Sequence, residues 1–163
     1  MLLIQALTPT HASAVLRIYA EGMATGVATL ETSPPTWETW DAEHLPHSRF
    51  VALDEQGIVA GWAALSPVSG RCVYGGVAEL SVYVGEAFRG RGVGLALLEK
   101  LINESEKVGL WTLQASIDTL NPASSRLHER AGFRLVGTRE RLGQRLGEWR
   151  DIVLMERRSG RVG

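Results

Sequence analysis

The run Arg89-Gly90-Arg91-Gly92-Val93-Gly94 is the part of the chain whose residue types and spacing most clearly prescribe chemistry. It lies between Ala78 to Val84, whose alternation predicts a strand, and Gly92 to Val108, whose apolar stripe predicts a helix. The first amides of a helix have no intrahelical partner and sit at the positive end of its dipole. A glycine-rich loop that feeds them therefore makes an anion site suited to a pyrophosphate. Gly90, Gly92 and Gly94 have no Cβ, so the backbone can approach phosphate oxygens and adopt the positive φ of an amide nest. A tight turn that needs its glycines only for packing would carry the same three residues. The spacing is not Gly-x-Gly-x-x-Gly and no phosphate-binding lysine follows, so dinucleotide-dependent hydride transfer and nucleotide hydrolysis both lose support. Cys72 is the one cysteine and the four histidines are scattered, which leaves no internal disulfide and no zinc spacing; no metal is expected.

Such a loop needs a strand before it, a helix after it and a sheet to carry both. Leu2 to Leu7 predicts a first strand, and Thr10 a cap for a helix from His11 to about Glu21 with Val15, Ile18 and Tyr19 toward the core. Ser33 before Pro34-Pro35 predicts the cap of a short helix carrying Trp37 and Trp40, which could roof a pocket. Arg49 to Leu53 and Ile58 to Leu65 predict a hairpin around Asp54-Glu55-Gln56-Gly57. In the strand before the glycines, Leu80, Val82 and Val84 share one face and Glu79, Ser81 and Tyr83 the other. The following helix buries Val93, Leu97, Leu98, Leu101, Ile102 and Ser105 and stops at Gly109. Leu110 to Ile117 predicts a strand, and Asn121-Pro122 opens a helix through Ala131 with Ala123, Leu127 and Ala131 as its stripe. Phe133 to Arg141 and Trp149 to Met155 predict closing strands, and Arg157 to Gly163 a frayed tail. This order predicts a single α/β domain, residues 1–156, with a mixed central sheet covered by helices on both faces.

The 163 residues, 45% hydrophobic and 21% charged, are enough for one domain with a complete core. A formal net charge of -1 gives no basic footprint for nucleic acid and no cationic face for a membrane, so a small-molecule partner is expected. The apolar start Met1-Leu2-Leu3-Ile4 is interrupted by Gln5 and Thr8-Pro9 too soon for a signal core or a membrane span, which predicts a cytoplasmic protein.

Arg89, Gly92 and Gly94, in the pattern Arg-x-x-Gly-x-Gly, resemble the acetyl-CoA signature of the GNAT superfamily of N-acetyltransferases. Nearly the whole chain is similar to its phosphinothricin and methionine sulfoximine acetyltransferase branch. The similarity runs through Thr29-Leu30-Glu31-Thr32, Glu79-Leu80-Ser81-Val82-Tyr83-Val84, Asn121, Ser125-Arg126-Leu127-His128-Glu129, Gly132-Phe133 and Gly147-Glu148-Trp149-Arg150-Asp151. The resemblance implies a GNAT-like, mostly antiparallel sheet and direct acetyl transfer from acetyl-CoA to the amino group of a small amino-acid-like acceptor through a tetrahedral intermediate. It further implies that Val82, Tyr83 and Val84 present backbone groups to the pantetheine arm and that Arg89, Gly90, Arg91, Gly92, Val93, Gly94 and Leu95 hold the pyrophosphate. A bulge in the strand would free an N–H near Tyr83 or Val84 for the oxyanion.

By the same resemblance, Glu79 is the base that takes the ammonium proton, directly or through water; an ion-paired strand carboxylate is the plainer reading. His128, seven after Asn121, is implied as acid or base, or else is a polar helix residue. Asn121 fits a cofactor contact and the cap of its own helix equally. Arg71 and Tyr74 are spaced from Glu79 as in that branch, where the loop lines the acceptor pocket; Arg71 either clamps an acceptor carboxylate or is an ordinary loop arginine. Ser81 and Glu31 complete the expected acceptor side. A homodimer is a further option that the resemblance carries. Acetylation of protein N-termini or lysines, and non-catalytic acyl-CoA binding, remain open beside these expectations.

Overall fold

The computed structural model describes residues 1–163. Its strands are β1 (Leu3–Ala6), β2 (Phe50–Leu53), β3 (Val59–Pro67), β4 (Val77–Val84), β5 (Thr112–Asp118), β6 (Arg134–Arg145) and β7 (Glu148–Arg158). Its helices are α1 (Ala12–Ala24), α2 (Trp37–Glu43), α3 (Val93–Lys107) and α4 (Pro122–Arg130). All seven strands form one sheet in the order β1-β2-β3-β4-β5-β7-β6. Every neighbouring pair is antiparallel except β4 and β5, which run parallel because α3 carries the chain back between them.

Alternation along β3 assigns the two faces. Ala63 and Leu65 join the stripe of α3, in which Val93, Leu97, Leu98, Leu101, Ile102 and Ser105 are all buried as their spacing predicts. Trp62 and Ala64 turn the other way, to Val15 and Ile18 of α1 and Trp40 of α2. Trp40 is fully buried, stacks on Trp37 and meets Trp62 edge-on, so the short helix fills core rather than roofing a pocket. Its cap is Thr36, whose hydroxyl accepts from the Thr39 amide at 3.2 Å; Ser33 and the two prolines lie in the approach. The first helix likewise begins later than expected, after a 3-10 turn over Pro9–His11 that Thr8 precedes. No helix is long and apolar enough to cross a membrane.

The last two strands are longer than their alternation suggests, and β7 takes in Arg157 and Arg158 of the expected tail. A buried carboxylate on α3 holds the end of β7. Glu106 accepts from Arg157 at 2.9 Å and from the Ser159 hydroxyl at 3.1 Å, which fastens the chain end to the helix. Burial acts to raise the Glu106 carboxyl, but those hydrogen bonds outweigh it and hold it below the ordinary value. A carboxyl lowered in the folded state stabilises fully above its unfolded value of about 4.5 and loses that contribution as the pH falls through the folded value. Urea midpoints of the wild type should therefore fall more steeply with acidification below that pH than those of Glu106→Gln. Parallel curves would remove the latch.

Candidate active site

Where β4 gives way to α3, the chain makes two left-handed steps, Gly90 at φ 77° and Gly92 at φ 80°, with Gly92 as the cap of α3. A Cβ at either glycine would meet open space, so positive φ rather than crowding is what requires glycine there. Gly94 differs. A Cβ built on it would stand 3.2 Å from Leu127 and 3.5 Å from Val84, so its absence lets α4 close on α3. The glycine turn forms one wall of a cleft of about 710 Å³, with Val82, Tyr83 and Val84 behind it and α4 opposite. Arg89, Arg126 and Arg130 line this cleft and no carboxylate does, so it favours a polyanion. Arg91 points elsewhere, its guanidinium 5.8 Å from the Phe88 ring centre and beside Met1 and Asp54.

The other decisive feature is a parting of strands. β4 and β5 are paired only at Val77, Ala78 and Glu79, opposite Thr112, Leu113 and Gln114, although both strands run on. The β3–β4 register is unbroken from Gly61↔Val84 to Pro67↔Ala78, so free backbone groups come from this divergence and not from the expected bulge. The Gly85 amide donates to the Ala60 carbonyl at 2.8 Å. Antiparallel alternation then turns the backbone groups of Tyr83 to β3 and those of Leu80, Val82 and Val84 toward the gap. Tyr83 contributes its ring instead, which stacks on Trp62 while its hydroxyl donates to the Ala28 carbonyl; burial pushes this phenol far up.

A small cavity of about 90 Å³ occupies the gap, lined by Ser81 and Val82 of β4, Ser116 of β5 and His128 of α4. Ala28, Val82, Tyr83, Asn121 and Ser124 line both spaces, so the large cleft and the small cavity adjoin. His128 is the buried residue of α4, while Ala123 of the expected apolar stripe is exposed along the cleft. Its Nδ1 lies 2.7 Å from the Ser124 carbonyl, which can only accept, so Nδ1 carries the proton in the neutral ring. Nε2 is then a buried acceptor without a partner. Burial lowers the imidazole below its ordinary value against the opposing pull of the Ser124 carbonyl, which keeps the ring neutral.

Glu79 stands beside this cavity at the last paired position. Its Oε1 accepts from Gln114 Nε2 at 3.0 Å and from Ser116 Oγ at 3.1 Å. Asn121 caps α4 by accepting from the Ser124 amide at 3.3 Å, and its Nδ2 donates to the Val27 carbonyl. Arg71 and Tyr74 occupy an exposed turn before β4, where the guanidinium lies 6.0 Å from the phenol ring centre, and they line neither space. Glu31 is likewise exposed outside both. Leu95 completes the glycine-turn wall.

Sequence reasoning missed Arg126 and Arg130, Gln114 and Ser116, and the wall from Thr25 to Ala28. The two arginines had a usable signal, since they follow the Asn121 cap at i and i+4 on the face of Ala123 and Leu127. The wall had none of its own. It is held from the far end of the chain, where Arg150 donates to the Gly26 carbonyl at 3.0 Å and Arg145 to the Met23 carbonyl at 3.1 Å.

Comparison with known proteins gives these features a context. The sequence pattern described as the acetyltransferase (GNAT) family matches residues 14–133. The L-methionine sulfoximine/L-methionine sulfone acetyltransferase of Pseudomonas aeruginosa is 38% identical over 109 residues, 65% of this chain and 62% of that one. The phosphinothricin N-acetyltransferase of Streptomyces coelicolor is 35% identical over 136 residues, 79% of this chain and 80% of that one. Among solved structures, the phosphinothricin acetyltransferase of Sinorhizobium meliloti in complex with AcCoA superposes with a TM-score of 0.89 at 30% identity, covering 99% of this chain and 90% of that one.

Proposed function

The chain belongs to the GNAT family of acetyltransferases and is an N-acetyltransferase that uses acetyl-CoA, and from that premise we propose that its acceptor is the α-amino group of a small amino-acid-like molecule of the phosphinothricin or methionine sulfoximine type. One observation carries this reading: a large arginine-lined cleft adjoins a cavity of about 90 Å³ in the strand gap that the neutral ring of His128 helps to line. The narrow end suits a small amine.

Acetyl-CoA, when bound, supplies a thioester carbonyl open to attack by an amine. The free amides at the start of α3, with Arg89, hold the pyrophosphate, and Arg126 and Arg130 add positive charge on the opposite wall. Val82 and Val84 offer backbone groups to the pantetheine arm. Of the two, only Val82 lines the small cavity, so its N–H is the donor for the carbonyl oxygen as negative charge develops there. Glu79 receives the proton of the incoming ammonium. His128 Nε2 accepts the second proton from nitrogen once it has bonded to carbon, then returns it to the departing sulfur. A lowered imidazole basicity favours that return. Ser81, on the cavity wall, positions the acceptor.

Gly92→Ala would force an L side chain into a left-handed step at a cost of about 1–2 kcal/mol. Calorimetry should show acetyl-CoA binding about tenfold weaker or worse, and unchanged affinity would place the pyrophosphate elsewhere. The acceptor class is tested by thiol release with phosphinothricin, methionine sulfoximine and short peptides. Turnover of the free amino acids is expected; turnover of peptides alone would overturn the small-acceptor reading. A homodimer belongs to the same proposal, supported by the exposure of Trp149 and Leu146 on the last hairpin, and sedimentation tests it.

A further inference from the structure

The cavity in the strand gap is lined by Ser116 and not by Glu79. This follows from the register. Glu79 and Gln114 are the last paired residues, and two positions further along β5 the same face carries Ser116, where the strands have parted. Gln114 Nε2 and Ser116 Oγ both donate to Glu79 Oε1, at 3.0 and 3.1 Å, so one carboxylate oxygen is fixed between them. Ser116 thus has its hydroxyl proton on the carboxylate while the residue itself lines the cavity.

We propose that the Ser116 hydroxyl, rather than the Glu79 carboxylate, meets the acceptor nitrogen and relays its proton to Glu79. The inference rests on the reading of Glu79 as the base. In the step, an N–H bond of the ammonium breaks as a new O–H bond forms at Ser116 Oγ. The original Oγ–H bond breaks as one forms at Glu79 Oε1. The ammonium becomes a neutral amine, the carboxylate becomes a carboxylic acid, and serine is unchanged. Gln114 is a positioning residue that keeps Oε1 facing the hydroxyl. His128, across the cavity, is left free for the second proton.

Ser116 is exposed, so its replacement leaves the core intact. The test compares Ser116→Ala, Ser116→Thr, Glu79→Gln and the Ala/Gln double variant, with methionine sulfoximine as acceptor and calorimetry for acetyl-CoA. Ser116→Ala should lower kcat/KM about tenfold or more with acetyl-CoA affinity unchanged, and Ser116→Thr should restore most of it. In the Glu79→Gln background the alanine should add little, because the two groups act as one chain. A Ser116→Ala enzyme within about twofold of wild type, or losses that simply add, would overturn the relay. If Glu79→Gln itself retains full activity, the base assignment falls with it. A Glu79→Gln loss beside an intact Ser116→Ala removes the relay alone.

Discussion

Glutamine in place of Glu79 should lower kcat by about 10²–10⁴-fold while acetyl-CoA still binds normally, because the amide keeps the size of the side chain and cannot take a proton. Glu79 lines neither space. Binding should therefore survive its replacement, and a large rise in the acetyl-CoA Kd would show that the variant had disturbed the strand gap instead. The pH dependence of the rate tests His128 separately. Burial lowers the imidazole below its ordinary value of 6.5, so Nε2 is available as an acceptor above the lowered value and lost as the pH falls through it. The acid limb due to His128 should lie below that ordinary value and vanish in His128→Gln. A limb at or above 6.5 would contradict a buried neutral ring.

Arg150→Ala should destabilise the fold by about 3–5 kcal/mol, since it strands a buried carboxylate. Asp118 and Arg150 meet at 2.6 Å with side chains 5% and 10% exposed, and the same guanidinium nitrogen also donates to the Gly26 carbonyl. The pair therefore has two duties, neutralising Asp118 and holding the wall from Thr25 to Ala28 against the cleft. Asp118→Asn with Arg150→Met removes the stranded charge and should recover much of the stability. It cannot restore the bond to Gly26, so KM for acetyl-CoA should stay raised. Recovery of both stability and KM would show that the wall does not depend on this contact.

These positions also mark the limits of sequence reading. Strand alternation and the stripe of α3 place the sheet, its main core and the glycine turn, because those signals are local and periodic. Glu79 and His128 are legible as candidates through family likeness, but their surroundings are not. The unpaired Nε2 depends on how α4 meets β5, and the strand gap depends on where a parallel pairing stops. Arg150 reads as one residue of a motif; its partners lie 32 and 124 residues away. Ser33 and Thr36 carry the same capping chemistry, and packing of Trp40 under Trp62 decides for Thr36. Likewise Arg71 and Tyr74 have suggestive spacing, yet the turn that holds them stays outside both spaces.

A crystal structure with acetyl-CoA tests the site assignment most directly. The expected density puts the pyrophosphate against the amides from Arg89 to Leu95 and the thioester at the Val82 N–H, in the gap lined by His128 and Ser116. A thioester lying outside the β4–β5 gap, with the pyrophosphate away from the glycine turn, would contradict acetyl transfer at this site.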